Sequence, residues 1–268
     1  MEHKVAGKEM NRKKKHEGKS ILRRILILAF LCVFLFSLFK VAGIIREYFK
    51  IEKLYNDTAD EYTSEEPKDD KTTIEVDLQG LREINEDVIG WIYIPGTNVN
   101  FPVLQGKNNK QYLFQSYKKE YLTAGSIFLD YRCNADFEDK STVIYGHNMH
   151  NGSMFGSLKK YRDEEYREEH PYIYIMKAGG TWKQYETVAY YQASVDGPTY
   201  RLPLREAASE EGKHASRQLL EEIAAGNMYS GTEKLKTSDT LILLSTCTQD
   251  SRDDVRMILA AKLVETAN

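Results

Sequence analysis

Cysteine is scarce in this 268-residue chain, and its scarcity limits what the thiols can do. There are three; Cys32 falls within an apolar run, so Cys133 and Cys247 could form at most one disulfide. Concentrated basic charge is also missing from most of the chain. Residues 1–24 carry nine Lys/Arg against three Glu, a net +6, which leaves −9 on the remainder of a chain whose total is −3. A nucleic-acid partner needs a concentrated basic face, so an acidic body with its cationic charge confined to one tail excludes that class. No internal repeat is visible, and low complexity is confined to the tail and one polar stretch. With 41% hydrophobic and 29% charged residues, the chain can bury one sizeable core but hardly two.

One long apolar run is present. Residues 25–45 read ILILAFLCVFLFSLFKVAGII, twenty-one residues whose single charge is Lys40. As a helix at about 1.5 Å per residue this covers roughly 31 Å, close to the roughly 30 Å of a bilayer's hydrocarbon core. Lys40 stands near one end, where its stem can snorkel. The basic flank on the N-terminal side places residues 1–24 in the cytoplasm and everything after about residue 46 outside the cell, by the positive-inside rule. A cleaved signal peptide is the competing reading. An anchor is favoured because the apolar run exceeds the usual signal length and the small-residue site at 41–43, VAG, is poor.

Residues 46–74 turn polar, with EYTSEEPKDDKTT near their end, and read as a stalk that lifts a domain off the membrane. Within them Tyr48, Phe49, Ile51 and Leu54 suggest a short helix, and Leu78, Leu81 and Ile84 predict a second over residues 76–86. After Gly90 come short runs rich in Ile, Val, Tyr, Phe and Thr: WIYIPGTNVNFPVL, GSIFLDY, STVIYGH, YIYIM, YETVAYYQASV, DTLILLSTCT and VRMILAAKLVE. Seven or eight strands of a barrel or sandwich, hence a mainly β domain over residues 75–268, are expected. A helical segment interrupts them at residues 203–226, with Leu219, Leu220, Ile223 and Ala224 as its apolar stripe and Gly226 as its stop.

LILLSTC is an apolar strand ending on Cys247, with polar TQDSRDD directly after it. A thiol at a strand end is held rigidly at a rim, where a nucleophile is useful, yet its ordinary pKa of about 8.5 demands a neighbour that takes the proton. His147 has the same setting, at the end of STVIYGH. Arg256 opens the last apolar run nine residues after Cys247, so a tight antiparallel connection would bring both to one end, where a guanidinium can hold a developing oxyanion. Arg252, in the polar loop, is the alternative donor. His147 and His150 form an H-x-x-H pair, but no further ligands stand nearby and a metal is not expected. Asp250, Asp253 and Asp254 are candidates for orienting His147, and Tyr190, Tyr191 and Tyr200 for touching a peptide.

TLILLSTC resembles the TLxTC signature of sortases, and YGHNMHNGSMFGSLKKY is similar to the histidine-bearing segment of the class B sortases. FPVLQGKNNKQYLF, AGSIFLDYR and DDVR before an apolar strand resemble further class B segments, in family order over residues 75–268. The resemblance implies an eight-stranded sortase-type β-barrel with N-terminal helices and a helical insertion between strands six and seven. It implies a membrane-anchored, extracellular cysteine transpeptidase without a cofactor. Cys247 would attack the threonine carbonyl of a C-terminal sorting motif, of N-P-x-T-N or x-P-x-T-G type, in a secreted protein. His147 would protonate the departing amine, Arg256 would stabilise the oxyanion, and an amino group of a cell-wall peptide or its lipid-linked precursor would resolve the acyl-enzyme. Asn109, Leu113 and Ser245 correspond to residues lining the family's substrate groove. Two other outcomes stay open: a thiol peptidase that releases its acyl group to water, and a silent wall-binding β-domain with a Cys133–Cys247 disulfide.

Overall fold

The computed structural model describes residues 2–68, 71–201, 209–230, 234–247 and 254–267, with side chains from residue 23 onward apart from those of 65–73, 247 and 265–267. Two compact units divide the chain, residues 1–50 and 51–268. The first lies within helix α1 (Glu2–Tyr62), which is long and apolar enough over its described part to cross a membrane. Its large apolar side chains between residues 25 and 45 are exposed, from Ile45 at 48% to Phe30 at 81%.

The second unit begins with the last turns of α1. Ile51, Tyr55 and Thr58 occupy one helix face at i, i+4 and i+7, and all three are buried. Tyr55 Oη donates to the Gly125 carbonyl and its ring meets Phe101 edge-on at 5.2 Å. Thr58 Oγ1 donates to Tyr117 Oη at 3.0 Å. Composition alone assigns these residues to a polar stalk; the structure instead packs them on the domain, because three well-spaced side chains suffice to dock a helix whose other faces are charged. A β-hairpin follows, β1 (Thr63–Lys68) and β2 (Lys71–Val76), then α2 (Leu78–Ile84). Asp77 caps α2 by accepting from the Gly80 amide at 2.8 Å, and Leu78 and Leu81 are buried while Ile84 is exposed.

Eight strands then close a barrel: β3 (Val88–Tyr93), β4 (Asn100–Leu104), β5 (Ile127–Leu129), β6 (Ser141–Tyr145), β7 (Tyr172–Lys177), β8 (Trp182–Ser194), β9 (Leu241–Cys247) and β10 (Val255–Ala267). Their order is β10-β8-β7-β3-β4-β5-β6-β9, with β9 and β10 paired to complete the ring. Every residue run read as strand becomes one, and closure into a barrel rather than a sandwich decides the architecture. Two pairings are parallel, β4 with β5 and β6 with β9. Strands β6 and β9 are buried almost throughout, which is why they read as continuous apolar runs without alternation.

Between β6 and β7 lie a 3₁₀ segment (Gly156–Arg162) and α3 (Glu164–Glu169). Helix α4 (Glu210–Gly226) stands between β8 and β9, starting at Ser209, whose hydroxyl accepts from the Gly212 amide, and ending at Gly226. Of the apolar stripe read for it, Leu219 and Ile223 are buried and Ala224 is exposed. The earlier part of the expected 203–226 segment lies outside the described residues.

Candidate active site

Strands β6, β9 and β10 lie side by side and end together. Parallel pairing of β6 with β9 sets Tyr145 against Ser245, so His147 and Cys247 each stand two residues further on. The Gly146 amide donates to the Ser245 carbonyl at 3.1 Å and carries this pairing one residue beyond β6. Antiparallel pairing of β10 with β9 sets Arg256 directly opposite Cys247, while β8 holds Arg256 from the other side, opposite Ala193. Three residues separated by up to 109 positions in the chain are thereby gathered at one barrel rim. The backbone of Cys247 is described as the last residue of β9, and its side chain is outside the described set. Arg252, Asp250 and Asp253 also lie outside the described residues.

A cleft of about 360 Å³ opens at this rim, and His147, Arg256, Asn109, Leu113 and Ser245 all line it. Gly146 lines it too, and nothing larger fits there, since a Cβ would come within 2.6 Å of Ile127 Cδ1 and the Phe155 ring. His147 is half-buried. Its Nε2 lies 2.7 Å from the Leu113 carbonyl oxygen, and its ring leans on Phe114 with centroids 5.6 Å apart. A carbonyl can only accept, so Nε2 carries the proton and Nδ1 is the atom of the neutral ring that can take another. Among the described residues, the group that orients the histidine is therefore a main-chain oxygen. Leu113, expected only as groove lining, supplies it.

Asn109 and Ser245 are tied into one polar network. At its centre Asp130 is fully buried and accepts from Arg132 Nε at 2.9 Å and Nη2 at 2.8 Å, from Asn109 Nδ2 at 2.8 Å and from Tyr145 Oη at 2.8 Å. Burial by itself would raise the Asp130 pKa, but the hydrogen bonds from Arg132, Asn109 and Tyr145 outweigh it and hold the carboxyl below its usual range. Tyr145 stacks on Tyr200, with centroids 6.3 Å apart and planes 7° from parallel, and Tyr200 Oη meets Ser245 Oγ at 2.7 Å. Arg132, Tyr145, Tyr200 and Phe128 are also part of the cleft wall. None of Asp130, Arg132 and Tyr145 is singled out by sequence reasoning, although AGSIFLDYR contains the signal, a carboxylate ending an apolar strand with an arginine two residues later. Of the three tyrosines considered for peptide contact, Tyr200 is at the cleft, whereas Tyr190 and Tyr191 are core residues, 2% and 0% exposed. Cys133 is a free thiol and 4% exposed, so the disulfide with Cys247 is not formed.

Residues 92–264 match the sortase domain family. Sortase B of Listeria monocytogenes is 35% identical over 252 residues, covering 92% of this chain and 98% of that protein. Sortase B of Staphylococcus aureus is 28% identical over 192 residues, or 71% and 75% of the two chains. Among solved structures, a Bacillus anthracis sortase B superposes with a TM-score of 0.67 at 30% identity, covering 82% of this chain and 99% of that one. A Staphylococcus aureus sortase B–substrate complex gives a TM-score of 0.61 at 28% identity over 70% and 84%. A closed mixed barrel, a rim that gathers a cysteine, a histidine and an arginine, and identity sustained along nearly the whole chain converge: the protein belongs to the sortase family, among the class B sortases, and is a cysteine transpeptidase that anchors surface proteins to the cell wall.

Proposed function

We propose that Cys247 is the nucleophile, His147 its acid/base partner and Arg256 the oxyanion donor. The observation that carries this assignment is the strand register, which sets Arg256 opposite Cys247 and brings His147 and Cys247 to equivalent positions beyond the Tyr145–Ser245 pair. The Cys247 sulfur adds to the threonine carbonyl of a sorting motif, and the C–N bond breaks as His147 passes a proton to the departing amine. The acceptor amine then attacks the thioester carbonyl and gives a proton to His147 as the C–S bond breaks, leaving the Cys247 thiolate beside a protonated His147 ready for the next cycle. Arg256 stabilises the negative oxygen in both steps. Asn109, Leu113 and Ser245 line the groove for the peptide, with the Asp130 network holding Asn109, and Tyr145 with Tyr200 reaching Ser245. The acceptor is an amino group of a cell-wall peptide or of its lipid-linked precursor.

The test is incubation of the protein with quenched peptides of the N-P-x-T-N and x-P-x-T-G types, with and without an amine. Cleavage with transfer of the N-terminal fragment to the amine is the expected result; release to water alone, however much amine is present, would identify a peptidase instead.

Residues 1–24 are read as a cytoplasmic tail, 25–45 as a transmembrane signal anchor and the rest as extracellular, with the catalytic domain reaching from about residue 75 to 268. Nine basic residues on the N-terminal flank support this orientation. Protease added to cells stripped of their wall should remove the body and spare a fragment of about 45 residues. A protected body would reverse the orientation.

A further inference from the structure

The Leu113 carbonyl that accepts from His147 Nε2 belongs to a loop that is held from outside the barrel. Its tightest point is Gly125, where φ is +55° and a Cβ would come within 2.4 Å of both the Tyr112 and the Leu113 carbonyl oxygens. The Ser126 amide donates to the Tyr112 carbonyl at 3.0 Å and keeps the two ends of the loop together. The glycine backbone therefore packs against the very oxygen that holds the histidine. On its other side, the Gly125 carbonyl accepts from Tyr55 Oη in the last turns of α1. Tyr55 Oη also lies 3.3 Å from Ser126 Oγ, which donates to the Gln115 carbonyl at 2.8 Å. From the connection between α2 and β3, Asn85 Nδ2 donates to Tyr112 Oη at 3.0 Å and to the Tyr117 carbonyl at 2.9 Å. Asn85 thus braces one side of the loop and α1 braces the side that carries Gly125. Tyr55 is 3% exposed, so water cannot replace its hydroxyl on the Gly125 carbonyl.

We propose that Tyr55 is a positioning residue for the reaction: through Gly125 it fixes the Leu113 carbonyl, and with it the tautomer and plane of the His147 ring, a role that rests on His147 being the acid/base residue as read above. A neutral imidazole keeps its proton on Nε2 while an acceptor is held there. When the carbonyl drifts, that hydrogen bond weakens and the other tautomer opens. The proton then sits on Nδ1, the nitrogen that must be free to take one from a thiol or an amine. The cost falls on kcat rather than KM, because the peptide groove is built from other side chains. Residues 51–58 are then support for the active site rather than a spacer.

The test compares Tyr55→Phe with Tyr161→Phe in the full chain in uncharged detergent micelles. Each change removes one hydroxyl from a buried tyrosine that donates to a main-chain carbonyl, Gly125 in the first case and His170 in the second, and neither residue of the second pair lines the cleft. With a quenched N-P-x-T-N peptide and saturating amine, Tyr55→Phe should lower kcat at least about fivefold and leave KM within about twofold. Tyr161→Phe should match the wild type. Nitrogen NMR of isotope-labelled histidine supplies the second reading, with the His147 signals identified by their loss in His147→Gln. The neutral ring should hold its proton on Nε2 in the wild type and in Tyr161→Phe, and should show a mixture of tautomers in Tyr55→Phe. A smaller loss in kcat, unchanged His147 signals, or an equal loss in Tyr161→Phe would each overturn the proposal. Near-wild-type turnover by His147→Gln would instead sink the acid/base assignment, and the tautomer populations would still decide whether α1 holds the ring.

Discussion

Cys247→Ala is expected to abolish both cleavage and covalent capture of a sorting-motif peptide while the protein stays folded, and Cys133→Ala to leave kcat/KM within about twofold. The two thiols differ in environment. Cys247 ends β9 at the rim beside the cleft, opposite Arg256. Cys133 is buried, and loss of hydration pushes its pKa up to about 12 despite a backbone hydrogen bond that acts the other way. At neutral pH only on the order of one Cys133 in 10⁵ is a thiolate, too few to attack a carbonyl at a useful rate. Its loss removes a small buried side chain, which costs about 1 kcal/mol of stability and no chemistry. The checks are peptide turnover, mass spectrometry of the captured acyl-enzyme and thermal midpoints of both variants. Comparable loss of activity in the two would mean that both cysteines serve a shared structural purpose and that the nucleophile is misassigned.

How much of this could be read beforehand depended on whether the information is local. Strands such as LILLSTC and STVIY announce themselves, because β-branched and apolar residues bounded by polar turns have few other uses. Cys247, His147 and Arg256 stand out for the same reason, each being a chemically active residue at the end of such a run. Pairing is not local. Nothing in β6 or β9 alone states that they run parallel, with Tyr145 beside Ser245, yet that register is what brings His147 to Cys247. The Leu113 carbonyl that fixes the His147 ring was hidden because a main-chain oxygen leaves no mark on residue type. Asp130 was hidden because an aspartate after a strand ordinarily reads as a solvated turn, and only the fold reveals that it is buried under three donor side chains. Residues 51–58 misled in the opposite sense. Their average composition is polar, and the docking face of Ile51, Tyr55 and Thr58 appears only once its barrel partners are in place.

Arg256→Ala and Arg256→Lys should each lower kcat by a factor of about 10² to 10³, whereas Arg252→Ala should cost less than about tenfold. The expectation rests on where charge appears. When sulfur adds to the threonine carbonyl, the oxygen becomes an alkoxide, and a donor must already be in place to stabilise it. Arg256 meets that condition: its backbone is paired with Cys247 on one side and Ala193 on the other, and its Nη1 donates to the Val255 carbonyl at 2.8 Å, which restrains the guanidinium plane. Arg256 also lines the cleft, which puts its charge on the side where the oxyanion would form. A lysine at this position keeps the charge but has no plane to restrain and no second nitrogen to spend on the Val255 carbonyl, so it should recover little of the lost rate. Arg252 belongs to the polar loop between β9 and β10 and would act on substrate through long-range charge, which added salt screens. Measuring kcat and KM for the three variants at two ionic strengths separates the cases: loss in kcat that salt does not relieve marks the oxyanion donor, and a larger loss at Arg252 than at Arg256 would move that role to the loop.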